Sequence, residues 1–458
     1  MTGIPTVTNP TSPINQIMAE PSGSAWYRAR RSRISVACVV ALTLFIDMLV
    51  YGVVIPCLPM LVIDRLKGNS TMVGFLFGCY AFGLLLATPV FAILSDKYQN
   101  RRYPMMAGML GLVVSTLAFA IADTYVLLVL ARVAQGVAGG ASWTIGLGML
   151  ADVFPTKKLG VVMGTVLTAH TVGFAIGPAA GGFLYEYGGF SAPFTFCAGF
   201  AVINFFAIVW IAEPLHKKHS EKTSVKVSRA QEDIEAEGSF TNNEETPLLP
   251  QAKKPKVTMW LLLKNWRIMS CLLCVVVSAS VFAGIEPALP IHLQLTYNAS
   301  ASTIGLIFVT MVVPAFLAPL IGHLSDKIGR QVISATGMIL MAVASPLVAL
   351  HFESIYMIIP PLMIFGLSSP VTLTPVLPEM GETVHDMGGA AYAQVYALYN
   401  MAYSIGMFIG PVLAGAVMAS SGFETLMLAF GFSLLICSPV MMDWFAIWRA
   451  IKSFVRRD

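Results

Sequence analysis

Four side chains stand where long apolar runs would exclude them: Asp47, Arg132, His170 and Glu286. Asp47 sits a dozen residues into its run, inside Leu44-Phe45-Ile46-Asp47-Met48-Leu49. Glu286 precedes Pro287, a kink position in the outer third of its run. A charge at membrane depth costs about 2.5–3.5 kcal/mol on insertion scales, so it persists where it has a task or a partner. Burial disfavours the charged form of a carboxylate, which lets it release and rebind protons. A proton and a cation then compete for one site, and that competition is the core of exchange. Asp47 is the first candidate for this chemistry; its alternative is a structural ion pair, for instance with Arg132. Glu286 either faces a cavity or snorkels to the interface. Arg132 pairs with a carboxylate, as a tuner of its proton affinity or as a fixed structural partner. His170 carries protons or packs as a hydrogen-bonded ring.

The elements that must hold these groups are legible in composition. The chain of 458 residues is 56% hydrophobic and 11% charged, with a mean hydropathy of +0.75. Ordinary soluble domains carry about 25% charged residues, so lipid is the solvent that fits. Twelve runs are long enough to span: 35–62, 72–94, 104–122, 125–149, 160–185, 192–212, 268–291, 303–324, 332–351, 355–377, 390–418 and 424–448. They are continuous rather than alternating, which excludes barrel strands. The predicted fold is an all-α membrane protein of twelve transmembrane helices in two pseudo-symmetric six-helix bundles, 35–212 and 268–448. Residues 1–34 read as a polar, disordered tail without a cleavable signal, 213–267 as a flexible cytoplasmic linker, and 449–458 as a second tail.

Charge gives the orientation. Of 28 Lys and Arg residues, Arg65 and Lys67 fall in loops opposite the termini, Arg132 lies within a run, and the other 25 sit on the terminal side. That asymmetry predicts cytoplasmic termini. The sequons at Asn69 and Asn298 fall in the opposite loops, as glycosylation requires. Glu244-Glu245-Thr246-Pro247-Leu248-Leu249 fits an acidic dileucine address for a sorting adaptor, or is a leucine pair in a disordered loop. Cys271 and Cys274 form a CxxC inside an apolar run and read as packing residues. The net charge of +4 carries no basic, aromatic-interleaved patch for nucleic acid. No metal, cofactor or enzyme is predicted: H-E-x-x-H, G-x-S-x-G and Walker motifs are absent.

Local patterns recur at nearly one offset, 230 to 233 residues. Ser95-Asp96-Lys97 returns as Ser325-Asp326-Lys327, Ile55-Pro56-Cys57-Leu58-Pro59 as Glu286-Pro287-Ala288-Leu289-Pro290, and Ile176-Gly177-Pro178 as Ile409-Gly410-Pro411. A duplicated half is what an alternating-access carrier needs. On these residues, and across about 30–450, the chain resembles the major facilitator superfamily. Gly322 to Arg330 copies that family's cytoplasmic loop signature, and Asp96, Lys97 and Arg101 stand in the first-half copy; with Asp326, Lys327 and Arg330 they are the implied conformational latch. Leu130 to Gly136 resembles the fourth-helix signature. Gly173, Gly177, Pro178, Gly181 and Gly182 resemble the fifth-helix signature of antiporters, and their small side chains serve helix packing.

Residues 160–189 and 284–291 look like the vesicular monoamine transporters and related drug:proton antiporters. That resemblance implies Asp47, Glu286 and Arg132 in proton coupling, with Glu382 (Glu379 its rival) matching the acid of helix 10. It implies a cavity of Asp47, Tyr80, His170, Glu286, Tyr396, Tyr399, Asn400 and Tyr403, in which Tyr80 replaces a lysine, Asn400 replaces an acid, and His170 has no counterpart. The expected function is a monomeric proton-coupled antiporter that exports a small cationic or amphipathic organic molecule, drug or metabolite. The alternatives are a vacuolar or vesicular amine loader and, from another class, a channel or receptor-like protein. The plasma membrane is preferred over a vacuolar or vesicular one.

Overall fold

A backbone that enters lipid must satisfy its own hydrogen bonds, and these apolar runs do so as helices. The computed structural model describes residues 30, 32–98, 101–211, 259–387 and 392–441. Among them are twelve spanning helices. The first six are α1 (Arg33–Met60), α2 (Ser70–Tyr98), α3 (Arg102–Ala120), α4 (Tyr125–Val153), α5 (Thr156–Gly188) and α6 (Ser191–Trp210). The second six are α7 (Trp266–Tyr297), α8 (Ala301–Ile328), α9 (Arg330–Val348), α10 (Ile355–Asp386), α11 (392–421) and α12 (423–437). Polar side chains start several of them: Ser32, Thr124, Asn265 and Ser300 each accept a first-turn backbone N–H.

Prolines and glycines place the breaks. α8 passes through a 3-10 turn at Val313–Leu317, where Pro314 removes a helical donor. α10 breaks between its pieces Ile359–Leu373 and Val376–Asp386, at Thr374 and Pro375, so it runs well past the expected end at 377. α11 and α12 meet at Gly422, whose φ of 83° only glycine adopts freely. The linker is shorter than 213–267: a short helix forms at Met259–Leu263, and the Asn265 cap starts α7 two residues early. The dileucine pattern and both tails beyond 30 and 441 lie outside the described residues.

Lipid gives apolar surfaces no reason to leave it, so these helices associate through close van der Waals packing. α1 and α5 approach backbone to backbone: Gly173 lies on the carbonyl of Phe45, Gly177 on Gly52, and Gly181 on Val53. A Cβ on Gly52 would stand 2.9 Å from Pro178 Cδ. Large apolar side chains such as Val90, Val114, Phe206, Leu320 and Phe432 remain exposed for lipid.

The two halves touch along α5–α8 and α2–α11. Gly182 packs on the backbone of Ala301, Gly305 on Pro178, Gly74 on Pro411 and Gly415 on Ser70. All lie toward the end opposite the termini. Hydrogen bonds add to this seam: Ser70 and Thr71 hydroxyls donate to the Gly415 carbonyl at 3.2 and 3.4 Å. Gln294 donates to Asp64 at 3.0 Å, and Ser302 donates to Glu186 through its N–H (3.2 Å) and hydroxyl (2.5 Å). Between described residues, no hydrogen bond joins the halves on the terminal side of the central cavity. The cavity lining reaches Leu84, Thr88 and Leu373 on that terminal side, where no hydrogen bond between described residues closes it.

Candidate functional site

On α1, Tyr51 stands four residues after Asp47 and three after Met48, the spacings that share a helix face, and that face looks into a central cavity of about 360 Å³. Each half contributes four helices to its wall: α1, α2, α4 and α5, then α7, α8, α10 and α11. Asp47 is 3% and Glu286 2% exposed, so both carboxylates are withdrawn from solvent. The Tyr51 hydroxyl donates to Glu286 Oε2 across the two halves. The Tyr80 hydroxyl sits beside the Asp47 carboxylate, both against Gly139, where a Cβ would stand 2.7 Å from the hydroxyl and 3.0 Å from Oδ1. Asp47 Oδ1 is buried with no aligned hydrogen-bond partner among the described residues.

Behind the tyrosines lies Arg132, wholly buried. The expected carboxylate partner is not in contact: among the described residues no Asp or Glu is placed in an ion pair with it. Its guanidinium carbon lies 5.3 Å from the ring centre of Phe77, 5.7 Å from those of Tyr51 and Phe119, and 5.8 Å from that of Tyr80. Nη1 donates to Gln135 Oε1 at 3.2 Å, and Gln135 in turn reaches Thr116 at 3.4 Å. Cation–π contact replaces the direct ion pair because aromatic rings fill the space between α1, α2 and α3. The arginine thus stands one ring away from each acid, across Tyr51 from Glu286 and across Tyr80 from Asp47, and touches neither.

The other predicted cavity residues divide. His170, Tyr399, Asn400 and Tyr403 line the cavity, with the two tyrosine rings stacked at 6.5 Å. Tyr396 does not; it is 47% exposed and lies a turn nearer the start of α11. Glu382 is also elsewhere. Beyond the break in α10 it accepts from Arg330 at 2.5 Å, while Arg330 holds Asp326 at 3.0 Å and the Pro378 carbonyl at 3.3 Å. Its rival Glu379 is buried against Arg267 (2.9 Å) and Gln331 (2.7 Å). The physical reason is position: both carboxylates lie on the helix end past Pro375, level with the loops.

That terminal cluster has a counterpart in the first half, where Arg101 grips Asp152. Arg330 and Glu382 stand 229 and 230 positions later, so the duplication repeats an arginine-carboxylate tie between neighbouring helices. Side chains of Asp96 and Lys97 lie outside the described residues; Lys327 is exposed. Gly329, at φ 119°, makes the turn that brings Arg330 back onto Asp326. The Arg330 pairs are partly exposed, so their worth is modest, about 1 kcal/mol after solvent screening. Arg330→Gln is expected to lower the apparent melting temperature of the purified protein by about 2–4 °C. An unchanged melting curve would show that the tie adds no stability.

Asn69 and Asn298 are both exposed at the end opposite the termini; Asn69 also caps α2 by accepting from Met72 N–H at 3.0 Å. Cys271 and Cys274 are buried in α7. Four contributors escaped the sequence reading: Tyr51, Trp143, Gln135 and Asp152. Tyr51 had a signal, one helical turn from Asp47, and Asp152 had another, the repeat offset from Glu382.

Comparison with known proteins places this architecture. The family model described as Major Facilitator Superfamily matches residues 40–285 and 271–452. An uncharacterized MFS-type transporter of Schizosaccharomyces pombe is 25% identical over 425 residues, 87% of this chain and 93% of that protein. The human chromaffin granule amine transporter is 28% identical over 422 residues, 92% of this chain and 72% of that protein. The human synaptic vesicular amine transporter is 28% identical over 382 residues, 82% and 67% of the two chains. Among solved structures, a bacterial homologue of the human lysosomal transporter Spinster, captured inward-facing and unoccupied, superposes with a TM-score of 0.69 at 15% identity, covering 92% of this chain and 97% of its own.

Proposed function

This chain belongs to the major facilitator superfamily, and from that premise we propose that it exchanges an organic cation, an amine in the first instance, for protons. The observation that carries the reading is a charge count in the cavity. Two buried carboxylates face one buried arginine, so one negative charge has no counterpart. Glu286 holds the Tyr51 hydroxyl, whereas Asp47 Oδ1 has no hydrogen-bond partner among the described residues, which makes Asp47 the acid open to an outside occupant. A lone buried charge is costly, so Asp47 holds either a proton or a positively charged substrate. Mutually exclusive occupancy of one acid is the minimal device for antiport. The halves then rock about the site, with the seam at the far end opening as the terminal end closes.

The Lys and Arg asymmetry supports a cytoplasmic terminal end, so the cavity as it stands accepts cargo from the cytosol. One chain supplies both walls of the cavity, and a monomer suffices. The plasma membrane suits an exporter of drugs or metabolites. A second destination, an acidic vesicle or vacuole, is favoured by the names of the human relatives and by the dileucine pattern at Glu244–Leu249.

The test is uptake of radiolabelled amines into proteoliposomes with an imposed pH gradient. Accumulation is expected to require the gradient and to collapse with a protonophore. Equal uptake with and without the gradient would overturn the coupling.

A further inference from the structure

We infer that His170 is a specificity residue that reads a neutral hydrogen-bonding group on the substrate, at the pole of the cavity opposite the acids; this rests on the cation-exchange reading. The argument begins with register. Gly173 lies on Phe45 and Gly177 on Gly52, so α1 and α5 run parallel, and Asp47 falls level with residues 174–175 of α5. At 1.5 Å per residue His170 is then ~6 Å nearer the terminal end than Asp47. α4 gives the same answer independently. Gly139 touches Asp47, and Trp143, four residues on, lies ~6 Å toward the terminal end. Trp143 and His170 meet there edge to face, with ring centres 5.2 Å apart. Glu286, bonded to Tyr51, lies the other way, about one turn beyond Asp47.

The cavity therefore has three levels along its axis: Glu286, then Asp47, then the ring pair of Trp143 and His170. Met48, Leu84 and Phe174 give the wall its apolar character between the acids and the rings. His170 lines the cavity, yet its ring nitrogens have no hydrogen-bond partner among the described residues. A neutral imidazole offers one donor and one acceptor, the same pair that a hydroxyl offers in return. A substrate that fits has an ammonium head at Asp47, a flat apolar body, and a hydroxyl or carbonyl one ring length away. A site built to bond a hydroxyl rejects the analogue that lacks it, because its own polar group is left unpaired.

The experiment uses two matched amine pairs, phenethylamine with tyramine and tryptamine with 5-hydroxytryptamine, in gradient-driven proteoliposome uptake by the full chain. The readout is the ratio of kcat/KM within each pair. Wild type is expected to favour the hydroxylated member. His170→Phe, which keeps a ring against Trp143, is expected to lower that ratio about tenfold. His170→Gln, which restores a donor and an acceptor, is expected to recover most of it. His170→Leu substitutes if the Phe variant fails to fold. Flux of the amines by wild type with a ratio that His170→Phe leaves unchanged overturns this inference alone. No gradient-driven flux of any of the four by wild type overturns the cation-exchange reading and this inference together.

Discussion

Asp47→Asn is expected to reduce gradient-driven amine uptake in proteoliposomes at least a hundredfold, to the level of empty vesicles. The change keeps shape and polarity, and leaves the Tyr51 to Glu286 bond and the Arg132 box untouched. What it removes is the buried acid whose Oδ1 has no hydrogen-bond partner among the described residues. An amide takes no proton in this range and offers a cation no charge, so the cavity loses both of its alternative occupants at once. Losing an ionic partner in a buried site costs on the order of 3–5 kcal/mol, which is the hundredfold or more expected here. Size-exclusion profiles should match wild type. Uptake that survives, still driven by the gradient, would move the exchange site to Glu286 and refute the charge count. Glu286→Gln separates the cases, because it leaves Asp47 and Arg132 as one buried acid facing one buried base.

Gly182→Leu is expected to abolish transport for a different reason: the seam can no longer close. A Cβ at Gly182 would collide with the Ala301 carbonyl, a backbone atom that cannot swing aside. Relief requires the halves to part at the end opposite the termini. A single cysteine at Leu295, already exposed in α7 near that end, serves as the reference site. Labelling by a membrane-impermeant maleimide at a cysteine placed on the cavity-facing Met48 should rise severalfold from the far side in the Gly182→Leu background, with the Leu295 site as the control for amount. Gly199→Leu, at a glycine with open space around its Cβ position, should transport normally. If Gly182→Leu transports like wild type, the Gly182–Ala301 approach is not part of the working cycle.

The sequence disclosed the membrane, the twelve spans, the duplication and the buried acids, because lipid imposes a large cost on each exception and exceptions are therefore visible. It did not disclose who meets whom. Arg132 invited a carboxylate partner, and the structure surrounds it with rings contributed by α1, α2 and α3, which no spacing along one helix reveals. The resemblance assigns Glu382 to proton coupling as the acid of helix 10; the break at Thr374 and Pro375 carries it away from the cavity to Arg330. Tyr396 shares spacing with Tyr399 and Tyr403, but helical periodicity fixes a face and says nothing about depth along the axis. The latch residues were found one by one from a signature. Their partners on α4 and α10, Asp152 and Glu382, are matched by the repeat offset, but the pairing itself is visible only in space.

The glycine seam has an electrical consequence. It packs backbone against backbone and is tied by side-chain hydrogen bonds, while the larger central cavity lies on its other side. A membrane voltage therefore drops mainly across the seam rather than across the cavity. One charge moved through the full potential exchanges about 2.3 kcal/mol per 100 mV. A cation entering from the open end as far as Asp47 crosses little of that field, so its binding from that side is nearly voltage-independent. The field acts when the seam opens and the insulating layer shifts to the other face of the bound charge. Voltage should therefore alter turnover far more than the KM measured from the open face.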